Sequence, residues 1–124
     1  MISYNLLLHV NMKYYDEEKM QNFRLNIEKE ILNWPEVSTK KMYVCPCYKY
    51  KNKLFAFLVT DGVVITKASE KEKINLSKEF SIKPFQAANR TMKSWPQIPV
   101  KHASDITKII PYLKNSYNHS KNLE

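Results

Sequence analysis

With 124 residues, 44% of them hydrophobic and 12% aromatic, the chain suits one folded domain with a single core and excludes both wholesale disorder and a pair of ordinary domains. Its one glycine, Gly62, excludes a glycine-rich phosphate cradle, which needs several residues without a Cβ to close on the ligand. The formal charge of +8 is lopsided, because residues 1–36 hold four basic and six acidic side chains while residues 37–124 hold sixteen basic and six acidic ones. Such a field attracts polyanions at low salt. Eighteen of the twenty basic residues are lysine, a poorer base reader than arginine, and lysine, asparagine and isoleucine together also rise with AT-rich coding. No apolar run approaches the roughly 20 residues that span a bilayer. No leader pattern is visible, and the expected location is the cytoplasm with no membrane partner. The expected domain is residues 1–122, with Leu123–Glu124 read as a cloning scar.

From Ile2 to Tyr14 every even position is apolar, which predicts a half-buried strand. The period changes at Asp16. Met20, Phe23, Ile27, Ile31 and Trp34 then fall three or four residues apart, the stripe of an amphipathic helix capped by Asp16 and ended by Pro35. Three strand-like runs follow: "KMYVCPCYKY", then "KLFAFLVT" after Lys51–Asn52, then "VVITK" after an Asp61–Gly62 turn. Leu54 to Val59 is apolar on both faces and reads as a central strand. The expectation is a three-stranded antiparallel meander. Ser69 and Glu72 have the spacing of a capping box for a short helix ending near Phe80. "SIKPF" suits an edge strand, because Pro84 has no N–H to donate. Gln86 to Lys93 reads as a loop, and "SWPQIPV" as an irregular strand broken by Pro96 and Pro99. Ser104 is the expected N-cap of a last helix bearing Ile106, Ile109, Ile110, Leu113 and Tyr117, kinked or begun at Pro111.

The order of these elements, with "NWPEV", "KKMY", the Lys53–Leu54–Phe55–Ala56 start of the central strand, Arg90–Thr91–Met92–Lys93–Ser94–Trp95 and Ser116–Tyr117, resembles the TfoX N-terminal / YjbR-like group of small domains. The related "luciferase domain" family has a similar tryptophan-bearing strand and Ser-Tyr helix. The resemblance covers roughly Glu28 to Ser120. It implies an α+β fold, an antiparallel sheet with N- and C-terminal helices packed on one face, as in secretion-chaperone-like proteins. It also implies a role in regulation or DNA binding, with no cofactor and no catalytic residue. The chain departs from the group where "YVCPC" replaces a Gly-Gly after the "KMF" element, and where the strand-like residues 2–14 extend the N-terminus.

Cys45-Pro46-Cys47 is the first chemical candidate. A zinc site needs four ligands, and His9, His102 and His119 show no ligand spacing to complete one. Redox dithiols place two residues between their cysteines at a helix start, whereas here one residue separates them in a strand. Buried free cysteine acting as a small hydrophobe is the plainer reading, and no metal or cofactor is expected. His102, Ser104 and Asp105 adjoin one another, but a cap and a first-turn acid explain the last two. A non-enzymatic protein is expected. The remaining lead is basic: Lys40, Lys41, Lys49, Lys51 and Lys53 fall within fourteen residues that contain no acid and three tyrosines. A basic β-ribbon with aromatics can lie along a nucleic-acid groove, and Arg90 and Lys93 are candidates for the same surface. Lysines also guard exposed strands against edge-to-edge pairing. Two functions follow: a regulatory module associating with nucleic acid through this hairpin, or a protein-interaction module, homodimeric or bound to a partner protein.

Overall fold

The computed structural model describes residues 14–122. Residues 2–13 of the expected N-terminal strand lie outside the described residues, and Tyr14, its last position, is helical rather than extended. Helices α1 (Glu17–Ile31), α2 (Glu70–Glu79) and α3 (Asp105–Lys121) accompany strands β1 (Val37–Met42), β2 (Cys45–Tyr50), β3 (Lys53–Val59), β4 (Gly62–Ile65), β5 (Lys83–Ala87) and β6 (Arg90–Pro99). The strands form one sheet in the order β1-β2-β3-β4-β6-β5, antiparallel throughout. The fold is α+β, with the N- and C-terminal helices on one face of the sheet.

Helix α1 begins where the side chain of Asp16 accepts the Glu18 amide at 3.1 Å, and it buries Met20, Phe23, Ile27 and Ile31. It closes at Ile31, before Pro35 is reached. Asn33 and Trp34 donate to Glu30 and Ile31, a tightening of the last turn to i→i+3 bonds that swings Trp34 into the core.

The run "KMYVCPCYKY" is two strands rather than one. Tyr43 and Val44 sit at φ 50° and 59° and form a two-residue turn with Met42 facing Cys45. Neither residue favours that region of φ, and for β-branched Val44 it is strained, so local sequence concealed the turn. The meander consequently has four strands, β1 to β4. β3 lies inside the sheet and is buried from Phe55 to Val59. A register shift sets Tyr48 and Lys49 against Ala56 and Leu54, leaving Phe55 as the surplus residue of a bulge. Pro46, by contrast, faces Lys41 in regular register.

The β3–β4 turn is Thr60–Asp61, since Val59 faces Gly62, and Asp61 alone takes a positive φ, 68°. Gly62 is needed for space instead. A Cβ there would lie 2.5 Å from the Ile98 carbonyl oxygen on β6.

Both halves of the Ser69–Glu72 capping box are formed, and α2 ends at Phe80 as expected. Gln86 to Lys93 is no loop. β5 and β6 form a hairpin whose turn is Ala88–Asn89, with Ala87 facing Arg90. Its outer half is largely exposed, so no apolar alternation marked it. β6 continues through both prolines, and Pro96 faces Pro84 beside a register shift that leaves Lys93, Ser94 and Trp95 surplus. A proline's missing N–H is tolerated at such a bulge.

In α3 Ser104 is the N-cap by position, as expected, but its backbone is not extended (φ −65°, ψ −19°) and its side chain makes no capping bond. The Asp105 carboxylate instead accepts the Lys101 and His102 amides at 3.0 Å each. Pro111 lies inside the helix, which continues on both sides of it as one 17-residue element and does not begin there. Its Ile109, Leu113 and Tyr117 are fully buried, each stabilising the fold by about 1.5–3 kcal/mol.

Candidate functional site

The two faces of the sheet differ in what they can do. On the helix face, Tyr117 packs against Trp34, Tyr50 and Phe55 with ring centroids 5.2 to 5.7 Å away, and its hydroxyl donates to the Pro35 carbonyl at 2.8 Å. Ser116 donates to the carbonyl of Phe55, the bulge residue, at 2.7 Å and accepts the Lys67 amide. The Ser116–Tyr117 pair is therefore a clamp that seats α3 on the bulge of β3.

Beside it runs a chain of charged and phenolic groups. Tyr15 donates to Glu17 at 2.6 Å, Arg24 bridges Glu17 and Glu28, and Tyr48 donates to Glu28 at 2.6 Å. Burial, with the hydrogen bond to Glu28, pushes the Tyr48 phenol far up. The Arg24 guanidinium holds Glu17 below the usual carboxylate range, with Lys41 adding to the effect. Every member is satisfied by another, so the chain straps α1 to β2 and leaves no poised acid or base.

The opposite face presents an apolar groove lined by Cys45, Cys47, Leu54, Phe57, Phe85 and Trp95, among others. Phe57 and Phe85 lie 5.1 Å apart, centroid to centroid, and Phe57 and Trp95 5.8 Å. β3 and β5 are three strand spacings apart in the sheet order, about 14 Å if it were flat. The sheet is arched, and the β5–β6 register shift supplies the bend. No single run of sequence announced this aromatic cluster, because its members come from strands that only the topology brings together.

The candidate basic residues divide between the faces. Residues directly opposite in an antiparallel pair share a face. Lys40 opposes Cys47, Lys49 opposes Leu54, and Arg90 opposes Ala87, so these three belong to the groove face. Lys40 and Lys49 are diagonal neighbours at about 7–8 Å. Lys41 opposes Pro46 and lines a helix-side pocket with Glu17 and Glu28. Lys53 opposes Tyr50, whose ring meets Tyr117, and so also belongs to the helix side. Lys51 sits in the β2–β3 turn with its ammonium 5.4 Å from the Tyr50 ring. Lys93 is an exposed residue of the β6 bulge. β1 and β6 are four spacings apart, so Arg90 and Lys93 stand across the groove from the lysine hairpin and not within it.

Both cysteines are free and buried. Burial pushes the Cys45 thiol up to about 12 and the Cys47 thiol upward as well, the reverse of what a nucleophile or thiolate ligand needs. Among the described residues no cluster of three or more His, Cys, Asp or Glu side chains could hold a metal, and no helix is long and apolar enough to cross a membrane. His119 meets Glu72 at 3.1 Å, tying α3 to α2. Comparison of the chain with protein-family models, with curated proteins and with solved structures finds no match.

Proposed function

We propose that this protein is a small non-enzymatic module that associates with nucleic acid through the basic margin of its sheet. The observation that supports it is the register, which sets Lys40, Lys49 and Arg90 on the face away from the helices. Residues 37–60 contain five lysines and no acid, so the β1–β3 ribbon meets phosphates without internal neutralisation. Lys41, beside Glu17, contributes less. Binding of this kind is carried by counterion release and is largely independent of sequence. The resemblance to TfoX N-terminal / YjbR-like domains belongs to the same reading.

The test is fluorescence anisotropy of a labelled DNA duplex across a salt series. Binding of about micromolar strength at low salt should weaken steeply as salt rises. The Lys40→Glu/Lys49→Glu double variant should lose at least about ten-fold, and Lys41→Glu/Lys53→Glu clearly less. Equal losses in the two variants, or no binding near physiological salt, would refute the reading. One observation favours a second reading, a protein-interaction module. β1 is an edge strand, and the adjoining Met42, Tyr43 and Val44 are all exposed, a surface suited to strand addition. Light scattering that shows association with concentration would favour it.

A further inference from the structure

The apolar groove raises the question of its cover. No residue of α1, α2 or α3 lines it. Even so, Cys45, Cys47 and Phe57 within it are no more than 6% exposed. We propose that the chain's own N-terminal segment, residues 2–12, docks along this groove and closes the second face of the sheet.

The path of the chain points there. The Tyr14 ring lines the groove 6.0 Å from Phe85, and the Tyr14 carbonyl accepts the Thr60 amide at 2.8 Å, anchoring the chain at the β3–β4 turn. The next residue, Tyr15, is buried on the other side, hydrogen-bonded to Glu17 at the start of α1. The chain thus passes from the groove face to the helix face between Tyr14 and Tyr15.

The chemistry of the segment fits the same place. Ile2, Tyr4, Leu6, Leu8, Val10 and Met12 are apolar, and none of residues 1–12 is formally charged. Leu6 and Val10 share a face whether the segment is extended or helical, because a separation of four satisfies both periods. Length suffices too. Eleven residues extended span up to about 36 Å, more than the about 24 Å across the five spacings of a six-stranded sheet, and as a helix about 16 Å, enough for the about 14 Å between β3 and β5. A tethered segment also holds an advantage of effective concentration over a second copy or a free apolar ligand.

The experiment uses the full chain. In isotope-filtered NMR, methyl groups of Leu6 and Val10 should show NOEs to the rings of Phe57, Phe85 or Trp95 within one molecule. Single variants Leu6→Cys and Val10→Cys should react with a thiol reagent at least about ten-fold more slowly than Asn5→Cys and His9→Cys. Intermolecular NOEs in a mixed-label sample would overturn the proposal in favour of a second copy. Absence of these NOEs, or labelling at one uniform rate, would overturn it outright. The phosphate-binding lysines take no part in these readouts, so the outcome is independent of the nucleic-acid reading.

Discussion

Gly62→Ala should destabilise the fold, although the same exchange at an ordinary strand position stabilises. Glycine weakens a strand through the entropy of its unfolded state, so alanine ordinarily gains about 0.5–1 kcal/mol. The φ of Gly62 is not positive, so no backbone penalty opposes that gain. Space does. The new Cβ would stand 2.5 Å from the Ile98 carbonyl oxygen and 3.3 Å from its carbonyl carbon. It would have to retreat by about 0.9 Å to reach the 3.4 Å of ordinary contact. Both obstructing atoms are backbone of β6, held by the Gly62–Pro99 and Val63–Ile98 pairs, and cannot rotate away. Overpacking of this kind costs about 1–3 kcal/mol, and a mid-range cost of about 2 kcal/mol leaves a net loss of about 1–1.5 kcal/mol after the entropic gain. With a urea m-value of about 1.5 kcal/mol per molar, the midpoint should fall by roughly 1 M. Urea unfolding followed by tryptophan fluorescence measures it, and Gly62→Val should fall further. An unchanged or raised midpoint for Gly62→Ala would show that β6 yields freely and that the close approach does not require glycine.

Two further outcomes follow from the titrating groups. The Lys101 amide, with the His102 amide, holds the Asp105 carboxyl below its usual value. Its contribution is therefore present above the unfolded pKa of about 3.9 and lost as pH falls through the lower folded value. Urea midpoints at pH 7 and pH 3 should differ less in Asp105→Asn than in the unsubstituted chain. The Cys45 thiol, pushed up to about 12 by burial, stays protonated in the fold at pH values where the unfolded thiol, near 8.5, ionises. Stability is thus fully present below about pH 8.5 and is lost as pH rises toward 12. At pH 8 both cysteines should resist a thiol reagent until urea unfolds the protein, and rapid labelling of the native chain would contradict their burial.

Much of the fold was legible where spacing and burial coincide. The stripe of α1 and the twofold apolar run of β3 follow from which side chains must leave water together, and the capping box of α2 from the free amides a helix start must satisfy. The failures have a common physical form. Tyr43 and Val44 turn the chain at positive φ against their own preference, because the pairing of β1 with β2 outweighs local strain. The β5–β6 hairpin escaped notice because the outer half around its Ala88–Asn89 turn is exposed and polar, and the bulge at Lys93–Trp95 breaks the alternation of β6. Ser104 occupies the N-cap position as expected, but the adjacent Asp105 carboxylate, not the serine hydroxyl, takes the free amides.

The candidate site residues divide in the same way. That residues 37–60 are basic, acid-free and rich in tyrosine is a property of the chain alone. Which of those lysines share a face is not, because strand register assigns it and a bulge or a hidden turn shifts register by whole residues. The groove is more remote still from local sequence, since Phe57, Phe85 and Trp95 meet only through an arch in the sheet. The sequence by itself determined the charge of this protein and those segments, such as α1, β3 and α2, whose spacing or caps are local. The tertiary structure decided which side chains face each other, because pairing across a sheet depends on register and topology and these are settled by the packing of the whole.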